Sequence, residues 1–525
     1  MGGGLLQLVA YGAQDAYITG NPHITFWKVL YKRHTNFAME AFRVNFTGSP
    51  TYGQRVVAVI NRNADLMYKT YLEVQLPDTQ GVTFGGANKP VQWTGAWERR
   101  LGYQLLKKIE CEIGGQIIDT HYGEWLFLWE NLTSGFDNSV KLDSMTGGYL
   151  GGSVTTAVSC GGRPNILYIP LQFWFCRNPG LALPLIALQY HEVRINITLS
   201  PATDLVSKGT YASVAQAASA LPNLKDMALY IDYVYLDVDE RRRFAQQSHE
   251  YLIDQLQFGL QQTLTTASAR IDLTLNHPVK ELVWVFQDAR KTDCGSTLTD
   301  LEGFTQPFSY DDIVNRCRLQ INGQDRFDER YGDYFWRVQP YQHHSGGAFW
   351  PMRAQVVAPA AVTLTYDGCS VVGDVLTVAG NKSGTGSSII EGAVVSTSAG
   401  TTFSPGTIIS AFGTGSGAAG TYNISEAALV NGSSLTVVFT LPNLQYTPHE
   451  NPINMYSFAL QPEEHQPSGT CNFSRIDTTT LVFDSIAEAG LAKPTKSTPF
   501  NFRMYAVNYN IFRVMSGMGG LAYSN

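Results

Sequence analysis

One ordered series of strand and turn signals occurs twice in this chain. Ile113, Gly115 and Gln116 are followed by Tyr122-Gly123, and Ile321, Gly323 and Gln324 by Tyr331-Gly332 across a gap one residue longer. Each half then carries a Tyr-bearing apolar run (LYIPLQF from Leu167; MYSFALQP from Met455) and a run rich in β-branched residues (EVRINITLS; TTTLVFDS). Each closes on a tyrosine-studded run, LYIDYVYLD from Leu229 and MYAVNYNIFR from Met504. Self-similarity on a scale of about 200 residues implies two copies of one domain, which is different from a solenoid of short repeats.

The repeated unit is built from strands. Short apolar or alternating runs bounded by Gly, Pro, Asn and Asp recur at residues 56–60, 66–76, 166–173, 193–199, 229–236, 270–275 and 281–286, an all-β pattern. Two segments depart from it, residues 120–132 (THYGEWLFLWENL) and 329–341 (ERYGDYFWRVQPY). Bulky residues cluster there at helical spacing, so each is predicted to be a short helix in a long connection.

The second copy is interrupted. From about Gln355 to Tyr446 there is no Trp and no Arg, and only five charged residues among much Gly, Ser, Thr, Val and Ala. Short runs (VTLTY, VLTVAG, EGAVVS, GTIISAF, GTYNIS, SLTVVFTL) recur there at the spacing of a small sandwich. An inserted β domain in a surface loop is expected, where added mass is thermodynamically tolerated. The segment ERRRFAQQSHEYLIDQ from Glu240 separates the copies, and its Arg241–Arg243 run reads as a solvated linker or as a partner of nearby Asp237, Asp239 and Glu240.

Composition narrows the function. With 37 Lys plus Arg against 44 Asp plus Glu, the net charge of -7 gives no general field to attract nucleic acid. No apolar stretch approaches a bilayer-spanning length, and the N-terminal residues lack a signal-peptide pattern, so the chain reads as soluble and unsecreted. Seven scattered cysteines without a C-x-x-C pair fit reduced thiols buried as small apolar groups, with neither disulfides nor a zinc site expected.

Catalytic and cofactor signatures weaken on inspection. Gly415 to Gly420 formally matches G-x-G-x-x-G, but a strand-like run follows where a dinucleotide site needs a helix. A Gly2 myristoylation signal would want Ser or Thr where Leu6 stands. Glu463-Glu464 and Asp311-Asp312 are adjacent pairs that point to opposite faces of a strand, unlike the converging acids of a glycosidase, and read as exposed loop acids. His343-His344 and His465 show no metal-ligand spacing. No catalytic residue, cofactor or metal is therefore expected.

Four long segments carry a specific likeness: GGGLLQLVAYGAQDAYITGNPHITFWKVLYKRHTNFAME, YLDVDERRRFAQQSHEYLIDQ, MYSFALQPEEHQPSGTCNFSRID and SGMGGLAYSN. They resemble the major capsid proteins of large icosahedral nucleocytoplasmic DNA viruses. The resemblance covers nearly everything outside residues 355–447 and implies two tandem eight-stranded jelly rolls. The implied layout is an N-terminal arm (1–25), a first jelly roll (26–240), a second (241–354 and 447–525) and the inserted β domain (355–446).

The resemblance also implies a job. Three chains would form a homotrimer presenting six similar jelly rolls, a pseudo-hexagonal capsomer that tiles an icosahedral shell beside neighbouring capsomers. The role is packing in the virion, assembled in the host cytoplasm, with no enzyme activity and no direct nucleic-acid contact. Apolar Leu5, Leu6, Leu8, Val9 and Tyr11 would anchor the arm on the inner side, near minor capsid proteins and an internal membrane, or alternatively cover the base of its own first jelly roll. Lys28, Lys32, Arg33 and His34 follow as a solvated strand edge. The insert would face outward to host surfaces, glycans or fibres, with glycosylation sequons at Asn381, Asn423 and Asn431, and others outside it at Asn45, Asn131, Asn196 and Asn472. The competing readings are a sandwich-type carbohydrate-binding or glycoside-hydrolysing protein and a transient virion scaffold of the same fold.

Overall fold

A computed structural model describes residues 12–77, 96–147 except 99, 166–207, 218–289 except 220 and 267, 308–346, most of 363–440, 452–485 and 499–523. In the first half the main strands are β1 (Phe37–Asn45), β2 (Arg55–Ile60), β3 (Leu66–Gln75), β4 (Leu106–Ile113), β5 (Gln116–His121), β6 (Ile166–Pro170), β7 (Val193–Leu199) and β8 (Asp226–Leu236). They pair as β1-β8-β3-β6 and β2-β7-β4-β5, two antiparallel sheets facing each other across a shared core.

The second half repeats the plan. Its strands are β9 (His249–Leu264), β10 (Ser268–Asp272), β11 (Pro278–Asp288), β12 (Val314–Ile321), β13 (Gln324–Asp325), β14 (Asn454–Ser457), β15 (Thr479–Ser485) and β16 (Phe500–Met515). They pair as β9-β16-β11-β14 and β10-β15-β12-β13. Adding eight to every label of the first half reproduces the second, so the two halves share one topology. That interleaved order is the jelly-roll arrangement, in which strands distant in sequence become neighbours.

Local chemistry explains the elements. The alternation in β2 (RVVAVI) buries Val56, Ala58 and Ile60 and leaves the intervening side chains outward, the period-2 signature of a sheet with one wet face. The helix α1 (Gly123–Thr133) follows β5 and buries Trp125, Leu126, Phe127, Leu128, Trp129 and Leu132. Its counterpart is a π turn at Tyr334–Val338 continuing into α-helix at Gln339–His343. A glycine stands at the start of the first and just ahead of the second for the same reason. A Cβ at Gly123 would lie 1.9 Å from the Tyr103 carbonyl oxygen, and one at Gly332 would lie 2.1 Å from that of Val314.

Several expectations need correction. Helices also form at Phe136–Thr146 and at the linker Val238–Gln246, whose few apolar residues make no stripe. In the linker, Arg241 grips Asp65 with two parallel bonds of 2.9 and 3.0 Å, so its acid partner lies on the first jelly roll and not among Asp237, Asp239 and Glu240. Asp237 instead caps the helix by accepting from the Val238 amide at 2.8 Å. Every residue from 16 to 41 is exposed, on both sides of the expected arm boundary at 25 and into β1.

The sandwich expected for residues 355–446 is, among the described residues, one continuous seven-stranded sheet. Its long strand Thr363–Val372 changes partners near Gly368, whose φ of +75° suits glycine. The sheet has a core of its own, including Leu364, Tyr366, Tyr422, Val437 and Phe439. Three of the four paired acids are not free loop acids, whereas Glu464 is exposed. Asp312 accepts from the Trp336 indole at 3.1 Å, Asp311 from the Asp288 amide at 3.0 Å, and Glu463 from His344 and the Ser345 amide.

Candidate functional site: the joint between the two jelly rolls

Assembly depends on which sheet faces are covered, and the two jelly rolls differ sharply in this. In β11 the side chains Leu282, Trp284 and Phe286 enter the second jelly roll's own core. The alternate residues Val283 and Val285 point the other way and join the first jelly roll's core, together with Ile253, Met455, Tyr505 and Val507. Both faces of this sheet are therefore dry. Full burial of one such side chain contributes about 1.5–3 kcal/mol, so these six residues make the joint largely hydrophobic.

The covering element is α1 with its flanking residues. Trp125 packs 5.4 Å from the Tyr505 ring and Tyr122 packs 5.2 Å from Phe258, centroid to centroid. At the centre lies Glu124. Arg503 donates to its Oε1 from Nε at 2.9 Å and from Nη2 at 2.6 Å, Tyr310 donates to Oε1 at 3.1 Å, and Tyr505 donates to Oε2 at 2.5 Å. Burial opposes the Arg503 charge, yet Glu124 outweighs it and holds the guanidinium above its usual value. Burial, reinforced by Glu124, raises the Tyr505 and Tyr310 hydroxyls well above theirs, so both remain protonated donors.

Two further polar clusters flank this centre. Lys280 Nζ lies 3.1 Å from Asp254, and Arg177 of the first jelly roll lies 3.7 Å from the same carboxylate while stacking on Trp129. His344 is wholly buried between Glu281, 2.8 Å from its Nε2, and Glu463, 2.9 Å from its Nδ1. Burial disfavours the imidazolium, but the two carboxylates prevail and push its pKa up to about 9. Backbone and side-chain bonds from Ser345 and Gly346 to Thr133 and Leu132, at 3.0 and 2.8 Å, tie this corner to α1.

The residues singled out from sequence lie elsewhere. Asn423 is exposed on the strand Gly420–Ile424, Asn381 opens the strand Asn381–Gly384, and Asn431 lies outside the described residues. Asn131 and Asn196 are buried, donating to the Phe127 carbonyl and to Glu112, and are closed to modification. The arm residues 1–11, the insert junctions, and Cys160 and Cys294 are also outside the described residues; of the five cysteines described, four are buried. Past residue 11 the arm exposes Tyr17, Ile18, Phe26, Trp27, Leu30 and Tyr31, each by more than 60 %. Lys28, Lys32, Arg33 and His34 are exposed among them, ahead of the first strand.

The joint packs two copies of one sandwich against each other through a shared apolar core and a buried ion pair. The family model "Major capsid protein N-terminus" matches residues 25–237, and "Large eukaryotic DNA virus major capsid protein" matches 240–349 and 435–520. The chain belongs to the major capsid proteins of large eukaryotic DNA viruses. It is 42% identical to the major capsid protein of Pyramimonas orientalis virus and 33% identical to that of Paramecium bursaria Chlorella virus 1, with 100% of both chains covered in each case. The quasi-atomic capsid of the latter virus superposes with a TM-score of 0.63 at 29% identity, covering 95% of this chain and 100% of that one. The Faustovirus major capsid protein shares the fold, with a TM-score of 0.59 at 12% identity.

A major capsid protein of this family is a double jelly roll with a structural and not an enzymatic role, located in the shell of the virion. It assembles with other capsid subunits into the capsid lattice. The competing hydrolase reading falls with the family, which does no chemistry on substrates. The second family model is silent between 349 and 435, across most of the stretch whose composition sets it apart.

Proposed function

We propose that the working unit is a homotrimer in which six near-equivalent jelly rolls form a pseudo-hexagonal capsomer. The observation that carries this reading is the twofold use of one strand order within one chain, which lets threefold symmetry approximate sixfold. A solution mass near three times 57.8 kDa is the expected result, and a monomer at micromolar concentration would reject it.

The exposed arm supplies a second contact. Its aromatic and basic residues suit the inner side of the shell, against minor capsid proteins or an internal membrane, because so much apolar surface on one segment implies a partner. Deleting residues 1–36 should leave trimers intact and abolish ordered shells, and unchanged shells by electron microscopy would refute the assignment. The insert is read as an outward knob for host surfaces or glycans, with Asn423 as its exposed sequon. Its described strands pair only with one another, so replacing 355–446 by a short Gly-Ser bridge should preserve the trimer. Loss of the trimer on excision would mean that the segment is part of the body.

A further inference from the structure

We propose that Lys280 and Asp254 join side chain to side chain in an isopeptide bond that locks β9 to β11 across β16. The reaction is self-contained: an ammonium and a carboxylate condense to an amide and one water, and no oxidant or co-reactant is needed.

One irregularity sets up the pair. Between Val279 and Glu281 the pairing of β11 with β16 slips, which makes Lys280 the extra residue of a β-bulge. Bulges re-aim side chains. This one turns Lys280 to the face that Glu281 occupies opposite Val507, the face directed into the joint. Two residues beyond Val507 on β16 stands Tyr509, and its partner on β9 is Asp254. Lys280 Nζ lies over the Tyr509 ring, 5.0 Å from the centroid, and reaches Asp254 Oδ2 at 3.1 Å. Amine and carboxyl therefore come from the two strands that flank β16. They meet at the separation of a near-attack pair, in a setting that holds little water.

Burial makes the ion pair a poor resting state. Lys280 and Glu281 are fully buried, and desolvation of two charges often cancels their attraction. Among the described residues, Asp254 Oδ1 and Glu281 Oε1 are buried acceptors with no hydrogen-bond partner. Burial first, then Asp254 and Glu281, raise the Tyr509 hydroxyl above its ordinary value, so both carboxylates act on one ring. Condensation removes the charges of Lys280 and Asp254 together with the orphaned Oδ1.

The atoms balance. Nζ gives up two of its three protons and attacks the Asp254 carboxyl carbon. Oδ1 takes both protons and leaves as water, while Oδ2 remains as the amide oxygen. Arg177, 3.7 Å from Oδ2, faces the negative charge that collects there as the carbon becomes tetrahedral. Glu281 carries the protons from nitrogen to the leaving oxygen, the ordinary work of a carboxylate acting as general base and then acid. Because the bulge exists only where β11 meets β16, the bond forms after that last long strand is seated. It then closes the loop from Asp254 to Lys280 and restricts the unfolded chain.

The deciding measurement is the mass of the purified full-length chain under denaturing conditions. A value one water below the sequence mass is expected. Trypsin should leave the bond after Lys280 uncut and release residues 244–270 joined to residues 271–290. Lys280→Arg and Asp254→Ala should each restore the sequence mass and free the two peptides, whereas Asp254→Asn should keep the link and lose one ammonia in place of water. Glu281→Gln should slow appearance of the link by about a hundredfold or more. A wild-type chain at its full sequence mass, cut after Lys280, would overturn the bond and leave an ordinary ion pair, whether or not the variants fold. A water lost within a single peptide, with 244–270 released unjoined, would overturn it equally.

Discussion

The strands β3 and β11 hold the same place in two copies of one sandwich, yet their surroundings are opposite. Along β3 (LMYKTYLEVQ) buried and half-open positions alternate from Thr70 onward, whereas along β11 (PVKELVWVFQD) every residue after Pro278 is buried. Even the three charged residues of β11, Lys280, Glu281 and Asp288, are buried, and the first two are each matched by an ion of opposite sign. A strand with one wet face shows a period of two, while a strand covered on both faces becomes a near-continuous apolar run. The contrast teaches that the two copies have diverged, one sheet covered on both faces and its twin with one face half-open among the described residues.

The largest expected contrast comes from a charge placed at the matched positions. Val283→Asp should cost more than about 4–5 kcal/mol, because a carboxylate would be buried without a partner, and soluble yield should collapse. Tyr71→Asp should fold normally as a monomer; an equal loss of yield would break the comparison. Next, Glu124→Ala leaves Arg503 buried and unpaired, which costs about 3–5 kcal/mol, whereas its counterpart Asp333→Ala should stay within about 0.5 kcal/mol in denaturant melts of the monomer.

The covered sheet should also respond to pH. His344 in the folded chain holds its proton up to about 9, above its unfolded value near 6.5, so its stabilisation is fully present below the lower figure. That contribution, on the order of 3 kcal/mol, is lost as pH rises from 6.5 through 9, and His344→Gln should flatten the slope over this window. The position on β3 that matches Glu281 is Lys69, which stands in solvent and gives the open sheet no such term. The smallest contrast is Tyr505→Phe, which leaves Glu124 one donor short and should cost about 1–2 kcal/mol, against no measurable loss for Tyr230→Phe in the monomer.

Most of the fold was legible because strands announce themselves locally. Runs such as 193–199 and the tyrosine-studded closers carry their own periodicity, and the order in which they recur gave the duplication. The helix Phe136–Thr146 was missed because FDNSVKLDSMT has too few apolar residues to draw a stripe, and the linker helix because VDERRRFAQ is nearly all polar. The joint itself had no local signature: Glu124 and Arg503 are 379 positions apart, and only pairing across the whole fold brings them together. One signal did exist, the unbroken apolar run Leu282–Phe286 within β11 beside the alternation of β3 from Thr70, and it separates the covered sheet from the open one.

The distance between Glu124 and its partners also sets a schedule for synthesis. The hydroxyl of Tyr505 that closes the joint is encoded 381 residues after the carboxylate it meets. At roughly 5–20 residues per second the ribosome needs on the order of 20–80 s to bridge that gap. For that interval the flank of Trp125 that Tyr505 will cover has no lid on the nascent chain, so the first half waits, sticky, for the last strand to arrive.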